Sequence, residues 1–191
     1  MMQYRYIALF IMVSGILTGQ VKQEYEKRIS KEEMPNEAIS VANPFLQQAR
    51  RIRYYYEVDG ASESFEIKFK KEGYHVSAEF SKEGRLEDIE VRWKFRSLPE
   101  ATKKAIEAYL TAETDRWRIE KVQRQYVSEG NPVEKFKEAL RRSEASVFNY
   151  ECIVTTKKEG IVTRYEMLFA KDGSWLQSRK ILRRSYDFIL F

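Results

Sequence analysis

Apolar and polar residues alternate along this chain with two periods, and each change of period marks a change of element. Phe65, Ile67 and Phe69 alternate with Glu66 and Lys68. Val76, Ala78 and Phe80 alternate with His75, Ser77 and Glu79, and Ile89, Val91 and Trp93 with Asp88, Glu90 and Arg92. A period of two predicts strands with one buried and one solvated face. Turns at Lys71-Glu72-Gly73 and Lys82-Glu83-Gly84 are short enough to make sequential strands antiparallel neighbours, so the segment reads as a β-meander.

Elsewhere the period is helical. Thr102, Ala105, Ile106, Tyr109 and Leu110 share one face of a helix predicted over 98–113, opened by a capping box between Ser97 and Glu100 with Pro99 in the first turn. Ala38, Val41 and Ala42 form a similar face over 35–43, where Pro44 is expected to shorten or kink the helix. Asn131-Pro132 opens a third amphipathic stretch, with Val133, Phe136 and Leu140 in a stripe. Basic-aromatic strands are expected at Arg51–Val58 and Trp117–Val127.

The order of these elements repeats. Phe80-Ser81-Lys82-Glu83-Gly84 corresponds to Phe169-Ala170-Lys171-Asp172-Gly173, and Phe65 to Phe69 corresponds to Tyr150 to Val154. Matching order and turn chemistry in two places predicts a duplicated supersecondary unit. The expected architecture is therefore α+β: a tandem repeat of a short helix packed on an antiparallel β-meander, with an inserted helix near 131–143 in the second repeat. Its divisions are a leader over 1–20, a linker over 21–33, a first unit over 34–95 and a second over 96–191.

The first twenty residues stand apart. Arg5 precedes an apolar run from Ile7 to Leu17, followed by small and polar Thr18, Gly19 and Gln20. This is the pattern of a secretory signal peptide, and the run is too short for the roughly 20 residues of a membrane span. The reading places the mature protein in the periplasm or outside the cell, without a stable membrane span. Composition narrows the chemistry: one His and one Cys cannot build a Cys/His zinc site, an iron–sulfur cluster or an internal disulfide, so no metal or cofactor is expected. A net charge of +5 favours anionic surfaces only weakly. Cys152 lies among apolar strand residues and reads as a core position.

Three features could carry function. Glu66, Glu79 and Glu90 fall on one sheet face and could form an acid–base cluster, but Lys68, His75 and Arg92 share that face, as on a solvated sheet surface. Arg50-Arg51-Ile52-Arg53-Tyr54-Tyr55-Tyr56 interleaves basic and aromatic residues in the manner of single-strand binders, yet export removes nucleic-acid partners, and Tyr54, Tyr56 and Val58 equally suit a buried strand face. Ile153 and Leu168 occupy outward positions where the first unit has charges; they are the partner-binding candidates, or else a docking face between the units. No catalytic residues are identified. The tail, Arg183 to Phe191, is expected to add a final edge strand.

A leader followed by units that open LPEA-like and contain FSKEG or FAKDG turns resembles the periplasmic PepSY-like proteins, whose fold is similar to that of the beta-lactamase inhibitor protein. The resemblance implies a small exported module without catalytic residues, and the inhibitor relative binds another protein with the exposed face of its sheet. The resulting expectation is a non-catalytic module engaging a protein or peptide. A carrier of a small apolar ligand held between helix and sheet, and a carboxylate-dependent hydrolase, are the alternatives.

Overall fold

The period-two segments form one sheet. The computed structural model describes residues 21–182, Gln23 apart; the expected leader and the tail strand lie outside the described residues. In chain order the strands are β1 (Val21–Lys22), β2 (Glu24–Ile29), β3 (Arg50–Asp59), β4 (Ser62–Lys71), β5 (Tyr74–Ser81), β6 (Leu86–Trp93), β7 (Arg116–Val127), β8 (Asn149–Lys158), β9 (Ile161–Phe169) and β10 (Trp175–Ile181). The helices are α1 (Asn36–Leu46), α2 (Glu100–Glu113) and α3 (Pro132–Arg141).

The tandem architecture expected from the sequence does not form. The strand order is β1-β10-β9-β8-β7-β6-β5-β4-β3-β2, a single antiparallel meander from β2 to β10 with no break between halves. Where the boundary between units was expected, β6 pairs with β7 from Asp88↔Val127 to Trp93↔Val122. The inserted α3 does not stay with the second half: its Phe136 stacks on Phe45 of α1 at 4.5 Å and lies 6.5 Å from Phe80 of β5. One core cluster includes Ala38, Phe80, Ile106, Phe136 and Phe169, drawn from both halves. Burying that much apolar surface in common is the dominant favourable contribution to folding.

Residues 21–33, read as a linker, form β1, β2 and a 3-10 turn. β1 pairs parallel with β10, whereas β2 pairs antiparallel with β3 at the opposite edge. With one residue between them, the two edges lie within a few ångströms along one segment. The sheet is thus curled, and an ion pair between Arg179 of β10 and Asp59 of β3 spans the same gap.

At the helix ends some local signals hold and others do not. Asn131 Oδ1 accepts from the N–H groups of Val133 (2.9 Å) and Glu134 (3.3 Å), capping α3. The capping box expected at Ser97 and Glu100 does not form: Ser97 ends a 3-10 turn, and Glu100 pairs with Lys103 at 2.6 Å. A capping box appears at Ser30 and Glu33 instead. α1 continues past Pro44 to Leu46, because the proline falls in its last turn, where little helix remains to be broken. The FAKDG turn has a packing role: Gly173 has φ +95°, and a Cβ there would lie 2.6 Å from the Thr102 carbonyl oxygen of α2.

Candidate functional site

Alternation places the apolar side chains of β4 to β9 against the helices and their polar neighbours on the other face. Ile67, Phe69, Val76, Ala78, Ile89, Val91, Cys152 and Val154 are buried beneath the helices. Cys152 is fully buried, and desolvation pushes its thiol up to about 12, which suits a core residue rather than a nucleophile. The helix-free face curls around an open cleft of about 1470 Å³, lined by residues from β2 to β10.

The cleft floor is crowded with carboxylates. Glu66, Glu79 and Asp88 occupy successive paired positions on β4, β5 and β6, so the strand register lines them up across the sheet. Glu90 is one pleat repeat further along β6, opposite Gln125, and Glu151 of β8 is opposite Gln123 of β7. Amide donors knit the row together: Gln125 Nε2 donates to Asp88 at 2.8 Å, and Gln123 Nε2 donates to both Glu90 and, at 3.3 Å, Glu151.

Burial and mutual repulsion raise three members of the row, Glu79, Asp88 and Glu151. Burial, followed by repulsion from Glu90, Glu87 and Glu66 and opposed by a hydrogen bond from Ser64, raises Glu79 to about 7. Asp88 is driven well above the usual carboxylate range by burial and by Glu90 and Glu79. Glu151 is raised in the same way by burial and by Glu90 and Glu166, with Lys121 acting in the opposite sense. The carboxyl groups of Glu26, Glu57 and Glu66 lie within 4.8 Å of one another, a spacing compatible with a metal. Lys68 already sits among them, bonded to Glu26, 2.6 Å from Glu66 and 3.7 Å from Glu57. Burial would favour neutral Lys68, but Glu66, Glu26 and Glu57 outweigh it and hold the ammonium well above its ordinary pKa.

Of the residues singled out from sequence, Glu66, Glu79 and Glu90 are brought together in the cleft, while His75 is exposed at its margin. Ile153 and Leu168 lie on the same face: Ile153 pairs with Glu166 and is 7% exposed, and Leu168 pairs with Glu151 and is half-buried. The two halves meet edge to edge through β6 and β7 rather than face to face across these residues. Glu26, Glu57, Glu151 and Glu166 were not identified from sequence. Extending the alternation from buried Tyr150, Cys152 and Val154 would have placed Glu151 outward.

No protein-family model matches the chain, and no curated protein matches it closely enough to be a relative. Solved structures do match in fold. A DUF2874 family protein from Bacteroides ovatus is similar with a TM-score of 0.52 and 11% identity, covering 78% of this chain and 89% of its own. A protein from Bacteroides eggerthii, named as a candidate periplasmic protein, gives a TM-score of 0.51 at 14% identity, covering 76% of this chain and 88% of its own. A BLIP-like protein from Bacteroides fragilis overlaps at a TM-score of 0.48 and 15% identity over 80% of this chain and 91% of its own, too loosely to carry an argument. The fold likeness is thus to DUF2874 proteins, and the PepSY half of the resemblance is not supported. Among the described residues no helix is long and apolar enough to cross a membrane.

Proposed function

We propose that this chain is an exported, periplasmic, non-catalytic binding module that engages a protein or peptide on the helix-free face of its sheet. One observation carries the reading: a cleft of about 1470 Å³ opens on the face no helix covers, while the opposite face is filled. The periplasmic name of the similar Bacteroides eggerthii structure supports the location, and the inhibitor-like resemblance supports use of a sheet face. The carrier alternative is disfavoured because aromatic stacks such as Phe45 on Phe136 and Tyr109 on Trp175 occupy the space between helices and sheet. The hydrolase alternative is disfavoured because Glu66 is engaged by Lys68 and by the Ser77 hydroxyl, so it is not a free base or nucleophile beside Glu79.

Leu168 is the probe position, being half-buried on the same face of the sheet, next to the cleft residue Glu151 with which it pairs. A photoreactive side chain at Leu168 should crosslink a periplasmic protein that the same group at Glu37, exposed on α1, does not capture. Equal capture from both positions, or from Glu37 alone, overturns the reading. Leu168→Ser should weaken that complex, read by pull-down with the purified partner, and leave the thermal midpoint nearly unchanged.

A further inference from the structure

The cleft holds two carboxylate groups that solve the same electrostatic problem differently. Glu26, Glu57 and Glu66 surround an ammonium of the chain itself, since Lys68 reaches all three and also lies 4.5 Å from the centre of the Tyr55 ring. Glu79, Asp88, Glu90 and Glu151 have no such partner: among the described residues no lysine or arginine forms an ion pair with any of the four. Asp88, Glu90 and Glu151 accept from the amides of Gln123 and Gln125 and Glu79 from Ser64, while burial and neighbouring carboxylates raise Glu79, Asp88 and Glu151 so that these three hold on to protons. The Gln125 Oε1 acceptor beside them is buried and receives no hydrogen bond. Aliphatic surface adjoins the group, because Leu168 is paired with Glu151, and Ile153 is one pleat repeat along β8.

We propose that the occupant of the cleft is a basic extended polypeptide segment, whose lysine or arginine ends are received by Glu79, Asp88, Glu90 and Glu151 as Lys68 is received by Glu26, Glu57 and Glu66. This rests on the cleft being a binding face and narrows the partner to one that is cationic where it docks. The charged end supplies donors to the carboxylates and to Gln125 Oε1, and the aliphatic stem lies on Leu168 and Ile153. Lys121 near Glu151, with Lys70 and Arg92, opposes a cation beside it; Arg51, Arg53, Arg164 and Arg179 also line the cleft, Arg164 paired with Glu120 and Arg179 with Asp59 and Glu166. Because the incoming charge displaces the protons that Glu79, Asp88 and Glu151 hold, binding and proton release are linked.

The test is calorimetric titration of the protein with two blocked peptides, one alternating alanine with lysine and one alternating alanine with glutamate. It is run near neutral pH in two buffers of different ionisation enthalpy. The lysine peptide should bind with net proton release, weaken with added salt, and lose about tenfold or more in affinity in the Asp88→Asn/Glu151→Gln double variant. That variant removes repulsion and is expected to fold. Equal binding of both peptides, an unaffected double variant, or no binding of the lysine peptide overturns the proposal. If the Leu168 crosslink captures a protein while the lysine peptide fails, the binding face stands and only its cationic preference falls. If both fail, both readings fall.

Discussion

The two faces of the one sheet are built on opposite principles. Under the helices, side chains as large as Phe80, Phe136 and Phe169 are fully buried, and the only charge fully buried with them among the described residues is Arg124. That guanidinium is 3.8 Å from the centre of the Trp93 ring and 4.3 Å from that of Phe148, and pairs with Glu144. On the other face nearly every inward position carries a charge or an amide, and Glu57, Glu66, Glu151 and Glu166 are nonetheless buried. The first face is optimised for stability, because dispersion and hydrophobic burial add with every contact. The second keeps carboxylates crowded at a cost in stability, which is the usual sign of a surface retained for something else.

That contrast can be broken from either side. Phe136→Ala should be the most damaging change, since it empties a position stacked between α1 and β5; a loss of about 3–5 kcal/mol is expected in denaturant unfolding. Glu79→Gln should act in the opposite direction. Its folded pKa is raised from 4.5 to about 7, so its penalty is absent below pH 4.5, grows between the two values and is complete above about 7. The native chain should therefore lose stability as pH rises through that window. The variant should be more stable by about 2–3 kcal/mol in mildly alkaline buffer and no different in acid. Lys68→Met should cost about 1 kcal/mol near neutral pH, less in high salt, because the ammonium is 39% exposed and screened; unfolding at two salt concentrations reads this out. Ile161→Ser, at a hairpin end where the side chain is 67% exposed, should change stability by less than about 0.5 kcal/mol.

Much of the helix-covered face was legible because its signals are local. The alternation at Phe65 to Phe69 and Val76 to Phe80, the stripe on α2 and the Asn131-Pro132 start of α3 each lie within one short window. What those windows cannot encode is which edge meets which. Similar turn motifs suggested two units, yet β6 and β7 are joined by backbone hydrogen bonds that no side-chain pattern advertises, across the intervening α2. The strand Glu24–Ile29 lacked any signal because the side chains from Tyr25 to Arg28 are exposed, and pairing through the backbone is what orders it. The candidate site was half legible for the same reason. Glu66, Glu79 and Glu90 could be placed on one face by parity alone. Their burial, and the approach of Glu151 from β8, depend on the curl of the whole sheet.

The segment that pairs both edges of the sheet also orders events in time. Val21 and Lys22 pair with Lys180 and Ile181 across nearly the whole described chain, and Asp59 reaches almost as far to Arg179. Contacts so far apart in the chain are the slowest to form, since the connecting loop must close before they return anything. The first strand described, β1, is therefore among the last to be fixed, and a chain stopped before β10 would present β9 as an unpaired edge.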